Sequence, residues 1–241
     1  MLVVGFDTAT PAVSVAIHDG ERAVGEAFTV DARRHGELLM PMIAKVMAEA
    51  GASRADLTAV AVGVGPGPYT GLRVGVVTAR VLGAVLGIPV HGVCTLDVIA
   101  AAAAGGGEFL VATDARRKEV YWARYDADGR RLEGPLVGAA SSIPGALGLA
   151  VAGTGGQLYP EAFGELIGPA YPDARTLCAI VAGQLSEPGS AGRVSESGSA
   201  GRSSEPRGPG AAQPLLLAAD PLYLRRPDAR EPGPPKRVTP S

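Results

Sequence analysis

The sequence predicts an α/β protein of two lobes, each a mixed sheet carrying helices. Three observations support this. The chain opens with an apolar run, Leu2 to Phe6, a polar turn, Asp7-Thr8-Ala9-Thr10-Pro11, and a second apolar run, Ala12 to Ile17. The same layout returns as Phe109 to Thr113, then Asp114-Ala115-Arg116-Arg117-Lys118, then Val120 to Tyr125. Between them, the β-rich run Leu57 to Val64 enters a glycine-rich turn and leaves as a helical pattern, Thr70 to Leu86.

Taken in order, Asp19-Gly20 marks a hairpin turn, and Glu21 to Val30 is its second strand. His35 to Ala50 has helical period, with Leu38, Leu39, Met42, Ile43, Val46 and Met47 on a stripe and Gly51 as a stop. Pro41 predicts a kink there, or a start later than His35, and His35 itself is read as helix-end surface. Val90 to Val93 is a short strand, followed by a helix from Thr95-Leu96 through Ala104. Gly105-Gly106-Gly107 forms a hinge, which sets the first lobe at 1–104 and a smaller second lobe at 105–185. Ala150 to Gly156 reads as a strand running into a glycine turn, and Asp173 to Leu185 as an amphipathic helix. SEPGSAGR is then nearly repeated as SESGSAGR; residues 186–213 hold too few apolar side chains to offset chain entropy and are expected to be disordered. Residues 214–230 regain apolar character and are expected to dock back on the body, with a frayed tail at 231–241.

The most distinctive stretch is GPGPYTGLRVG, Gly65 to Gly75. Strand, glycine turn and helix are the parts from which backbone N–H groups converge at a helix N-terminus. Thr70 is placed as the N-cap. No Gly-Lys-Ser/Thr follows, so this is not a P-loop, and the glycine spacing is not that of the dinucleotide fingerprint. Within the helix, Gly71, Gly75, Ala79, Gly83 and Gly87 recur at every fourth position, which puts them on one face. Interior glycine costs about 1 kcal/mol relative to alanine. Close approach of another backbone compensates it, and spacing leaves two sources open: a partner helix, or the helix's own sheet.

Composition narrows the classes. The 241 residues are 46% hydrophobic but only 5% aromatic, so the core is aliphatic. A formal charge of −2 gives no molecule-wide attraction for nucleic acid, and any RNA contact needs a local patch or a partner. Arg116, Arg117 and Lys118 form such a patch, or a solvated turn. Two cysteines in apolar runs argue against a disulfide framework or a zinc site. The three histidines, His18, His35 and His91, stand too far apart to pair on one helix face. No G-x-S-x-G elbow is present. The expectation is a cytoplasmic protein without a membrane span, a metal site or a catalytic apparatus of its own.

The eleven-residue stretch GPGPYTGLRVG resembles the GPGSFTGLRIG signature of the TsaB family. VVGFDTATPAVSVAI (Val3 to Ile17), ATDARRKEVYWARY (Ala112 to Tyr125) and PLYLRRPDA (Pro221 to Ala229) are similar to further stretches of that family. The resemblance implies an actin-like ATPase (ribonuclease H-like) duplicated two-lobe fold with mixed sheets. It implies a non-catalytic partner of the metal-bearing paralogue TsaD, acting with the ATPase TsaE. Together these transfer threonylcarbamoyl to the tRNA adenosine beside the anticodon; tRNA is met through the complex, and the chain alone forms a homodimer. TsaD carries a His-x-x-x-His pair where this chain has Thr95 and Ile99, which leaves no such metal site.

By the same resemblance, Asp7, Thr8 and Asp114 match phosphate-turn positions. With Gly65, Gly67 and Thr70 they are the candidate nucleotide contacts, for ATP or ADP at the interface of the complex. Read from the residues alone, Asp7 and Thr8 cap their turn, and Asp114 is a turn residue salt-bridged to its arginine neighbours. The resemblance places the subunit interface on the two long helices, through Leu38, Met42 and Val46 on one and Gly71, Arg73, Gly75, Ala79 and Gly83 on the other. An independent actin-like ATPase or sugar kinase is the alternative, and a metallo-glycoprotease a third reading opposed by the missing histidine pair.

Overall fold

The computed structural model describes residues 1–104, 106–186 and 216–224. Gly105 of the expected hinge, nearly all of the Ser/Gly/Pro insertion and the 231–241 tail lie outside the described residues. The first sheet holds β1 (Val3–Asp7), β2 (Ala12–His18), β3 (Ala23–Val30), β4 (Ala59–Gly63) and β5 (Val90–Val93) in the order β3-β2-β1-β4-β5. The second holds β6 (Phe109–Asp114), β7 (Val120–Tyr125), β8 (Arg131–Gly138) and β9 (Ala150–Ala152) in the order β8-β7-β6-β9. In each sheet three strands run as an antiparallel meander, and the next strand joins the first in parallel. The repeated opening read from the sequence is therefore a repeated topology, that of the duplicated actin-like fold.

Layering explains the residue types. β1, β2 and β4 are buried throughout and are written almost entirely in Val, Ala, Gly, Ile and Phe, as strands covered on both faces must be. Helices α1 (His35–Glu49) and α2 (Tyr69–Leu86) cover one face of the first sheet through Leu39, Ile43, Val46, Leu72, Val76 and Ala79. Helix α5 (Ala174–Ser186) covers the other face through Leu177, Cys178 and Val181. Chain order had placed α5 with the second lobe; it packs instead on β1 and β2, with the Ala174 N–H donating to Ser14 Oγ at 2.8 Å. Helix α3 (Thr95–Ala103) is wedged between the sheets: Val98 faces the α5 layer, while Leu96, Ile99 and Ala100 pack with Phe109, Val111 and Tyr125 of the second sheet.

Other local readings need revision. Helix α1 runs unbroken from His35 despite Pro41, which is exposed, as is Glu37 four residues before it, so water can satisfy the carbonyl that proline leaves unpaired. His35 is buried, its Nε2 2.8 Å from the Thr10 carbonyl. Ala150 to Gly156 is a three-residue strand followed by a short helix, α4 (Thr154–Leu158), instead of a glycine turn. β8, absent from the sequence reading, is a half-exposed strand in which apolar and polar residues mix. Helix α2 has the length and hydropathy of a membrane span, interrupted by Arg73 and Arg80, but one face is committed to its own sheet. Residues 216–224 cover the outer edge of β5: Leu217 exchanges backbone hydrogen bonds with Gly92 at 2.7 and 2.8 Å, and the Leu222 N–H reaches the Val64 carbonyl at 2.8 Å.

Candidate functional site

Parallel pairing of β1 with β4 sets the ends of the two strands side by side, Phe6 opposite Val62. Asp7 is fully buried at that junction. Its Oδ1 accepts the Ala9 N–H at 2.7 Å and its Oδ2 accepts the Thr95 hydroxyl at 2.7 Å. Burial raises its carboxyl above the usual carboxylate range, opposed by those two bonds and by nearby His35. Gly63 is glycine because a Cβ there would collide with this carboxylate. Thr95 Oγ1 also accepts the Gly65 N–H at 3.1 Å, and the Thr95 N–H donates to the Gly65 carbonyl at 2.8 Å. A Cβ on Gly67 would run into the Ala9 carbonyl.

The two loops thus close on each other. A phosphate cradle needs several N–H groups aimed at one open point. Here the Ala9 and Gly65 N–H groups are spent internally, and Gly67 lies against backbone. Asp7, Thr8, Gly65 and Gly67 are brought together as expected, but as a packed junction that does not fit a nucleotide phosphate between them. Thr70 is not the N-cap: α2 starts at Tyr69 with Pro68 in the cap position, and Thr70 is an exposed second residue of the helix. Asp114 keeps separate company. Its carboxylate accepts the Arg116 N–H at 2.7 Å and faces the Arg116 guanidinium at 3.2 Å, while its own N–H lies 3.3 Å from Thr154 Oγ1.

The glycine stripe also resolves. Gly71, Gly75, Ala79 and Gly83 are buried against their own chain. Added Cβ atoms would stand 2.6 Å from the Thr8 carbonyl at Gly71 and 2.6 Å from Thr8 Oγ1 at Gly75, and would strike Val90 at Gly83. On α1, Val46 is wholly inside the core, whereas Leu38 and Met42 are half-buried at its margin. The outward face of α2 carries a different row, Val77, Val81 and Val85, which are 55%, 54% and 76% exposed. Arg73, one turn before Val77, is exposed and lies 3.9 Å over the Tyr69 ring. Its Nε donates to the Tyr223 hydroxyl at 3.0 Å, Tyr69 and Tyr223 stack at 5.1 Å, and Arg80 pairs with Asp220. The last described segment is therefore clamped to the flank of α2.

Comparison with known proteins gives this geometry a context. The family model for TsaD, tRNA N6-adenosine threonylcarbamoyltransferase, matches residues 27–162. An uncharacterized protein of Mycobacterium tuberculosis is 44% identical over 234 residues, 95% of this chain and 93% of its own length. The tRNA threonylcarbamoyladenosine biosynthesis protein TsaB of Escherichia coli is 39% identical over 132 residues, 53% of this chain and 56% of that one. The solved structure of YeaZ from Pseudomonas aeruginosa superposes with a TM-score of 0.63 at 30% identity, covering 76% of this chain and 90% of that one. The chain belongs to the TsaB family.

For this TsaB-family chain, the interface residues chosen from the signature need correction. Gly71, Gly75, Ala79, Gly83 and Val46 are interior, because four-residue spacing defines a face without saying which way it points. Leu38, Met42 and Arg73 do reach the surface. Val77, Val81 and Val85 were missed as surface residues, although their own four-residue spacing marked them as a second row. Thr95, noted only for not being histidine, ties Asp7 to Gly65.

A buried polar group joining the lobes was also missed. Asp97 on α3 accepts the Tyr125 hydroxyl at 2.8 Å and faces Arg131 at 3.4 Å, with both charged side chains only 7% exposed. Burial raises the Asp97 carboxyl and pushes the neighbouring Cys94 thiol up to about 12, which leaves that cysteine unreactive at neutral pH. No spacing rule connects residues on three separate elements.

Proposed function

We propose that this chain is a non-catalytic, cytoplasmic subunit in the formation of N6-threonylcarbamoyladenosine in tRNA, holding the metal-bearing paralogue TsaD in a competent arrangement alongside the ATPase TsaE. Family membership and the names of its relatives support the pathway. The single observation that carries the subunit role is the exposed row Val77, Val81 and Val85 on the outer face of α2, to which α1 adds half-buried Leu38 and Met42. Large aliphatic side chains repeated along one exposed helix face have no partner within the described residues and fit another helix pair laid against them.

A chemical role for this chain alone has little to stand on. By the family resemblance, Thr95 and Ile99 stand where the paralogue has its histidine pair; Thr95 is committed to Asp7 and Ile99 to the inter-lobe core. The closed Asp7–Gly65 junction gives no support to an independent ATPase or sugar kinase. A scaffold acts by binding the competent state of its partner more tightly than other states.

The test is co-purification of the full chain with the paralogue, followed by a tRNA modification assay with and without it. The expected result is a stable complex and modification that depends on this chain. A paralogue that neither binds the chain nor needs it overturns the reading.

A further inference from the structure

The turn between β6 and β7 has no part in the scaffold role, yet its backbone is strained. Arg116, Arg117 and Lys118 have φ of 61°, 54° and 61°. That is the left-handed region, where a Cβ crowds the following carbonyl, and three such residues in succession are uncommon without glycine. The chain contains 34 glycines, none of them in this turn. The turn is closed by hydrogen bonds from the Ala115 N–H to the Glu119 carbonyl and from the Glu119 N–H to the Arg116 carbonyl, both 3.0 Å. Asp114 fixes its first residue through the Arg116 amide and guanidinium. All three cationic residues are exposed, while the two flanking carboxylates, Asp114 and Glu119, are half-buried.

Strain that glycine would relieve at each of these positions persists where the side chains there are needed. Here what is retained is three adjacent exposed cations in one left-handed turn at the tip of the β6–β7 hairpin. The surroundings are a chain of formal charge −2, so the attraction is local and short-ranged. We infer that Arg116, Arg117 and Lys118 form an RNA-phosphate contact, the surface by which this subunit touches its tRNA. This rests on the proposed role in tRNA modification. The second sheet positions the turn through β6 and β7, whose six-residue antiparallel register runs up to Asp114 opposite Val120.

The experiment uses the full chain in complex with the paralogue, an unmodified tRNA transcript as probe, and the double variant Arg117→Gly/Lys118→Gly. Glycine adopts the left-handed conformation without penalty, so the variant removes two charges and relieves strain together. The expected result is a melting temperature equal to or above wild type and an RNA affinity lower by about tenfold at 50 mM salt. The log–log salt slope should fall by about 1.5, the loss of two phosphate contacts. Arg117→Lys, which keeps the charge, should retain affinity.

Unchanged affinity in the double variant, or no RNA binding by the wild-type complex, overturns the inference. Equal binding of duplex DNA, equally sensitive to the turn, also overturns it by revealing a general polyanion surface. The two proposals fail separately. If RNA binds through the turn but modification proceeds without the chain, the contact stands and the subunit role falls. If modification needs the chain while the double variant binds RNA as wild type, the subunit role stands and the contact falls.

Discussion

The hydroxyl of Thr8 bridges two turns of α2 at Gly75: it donates to the Gly71 carbonyl at 2.7 Å and accepts the Gly75 N–H at 3.0 Å. These are the two backbone groups that an α-helix joins across four residues. A loop at the end of β1 is thereby bonded into the first third of the helix, and the contact is possible only because neither glycine has a side chain.

Gly75→Ala therefore tests the packing directly. The new Cβ would lie 2.6 Å from Thr8 Oγ1, so either the loop or the helix must shift. Overpacking of this kind costs about 1–3 kcal/mol, more than the roughly 1 kcal/mol that alanine gains from helix propensity. Thermal unfolding should show a lower melting temperature, by about 2–4 °C for each kcal/mol of net loss in a chain of this size. A variant as stable as wild type would show that the glycine face is not closed by Thr8.

How much of this was legible follows from the same helix. Apolar runs bounded by Asp-Gly, Gly and Pro located most strands within a residue or two, because burial on both faces leaves an unbroken aliphatic signal. β8 gave no such signal, since none of its residues is fully buried. The glycine period was visible, but its direction depends on Thr8, sixty-odd residues away in a turn whose side chain gives no local hint. Asp7 was legible as a turn residue, and its bond to the Ala9 N–H is the local capping that an Asp turn predicts. Its second bond, to Thr95, requires the third dimension. The burial of His35 against Thr10 and the Asp97–Arg131 pair were hidden for the same reason.

Val81→Asp probes the outward face of α2. Val81 is more than half exposed, so the substitution should leave stability within about 0.5 kcal/mol. A carboxylate in the middle of an apolar helix–helix contact would be desolvated without a partner, and association with the paralogue should weaken by tenfold or more. Sedimentation or light scattering of the mixed proteins measures this. Undiminished complex formation would move the interface away from this row.

The Asp97–Arg131 pair predicts asymmetric mutational costs. Arg131→Met leaves the Asp97 carboxylate buried with only the Tyr125 hydroxyl, and loss of one partner from such a pair costs about 3–5 kcal/mol. Combining it with Asp97→Asn removes the orphaned charge and keeps an acceptor for Tyr125, so most of the loss should be recovered. Denaturant titration of the single and double variants checks the coupling. Equal losses in both would mean that Arg131 acts through packing alone.

His91 supplies the pH dependence. It lies on β5 beside Gly92, which pairs with Leu217, and it is buried with neither ring nitrogen hydrogen-bonded among the described residues. Burial lowers its pKa below the usual imidazole range, so the folded protein keeps it neutral where the unfolded chain takes up a proton. Below about pH 6.5 the unfolded state then binds more protons than the native one, and stability falls as the pH falls until the folded-state pKa is also passed; above that range His91 contributes no slope. Asp7 and Asp97, whose carboxyl pKa values are raised, slope the other way between the ordinary carboxylate pKa and their folded-state values, so the informative quantity is the difference between wild type and His91→Phe. The melting temperature of wild type should drop more than that of the variant between pH 7.5 and pH 5.5. Parallel curves would show that His91 finds a proton acceptor on protonation, and that its burial is relieved by a movement of β5 or of the 216–224 segment that covers its edge.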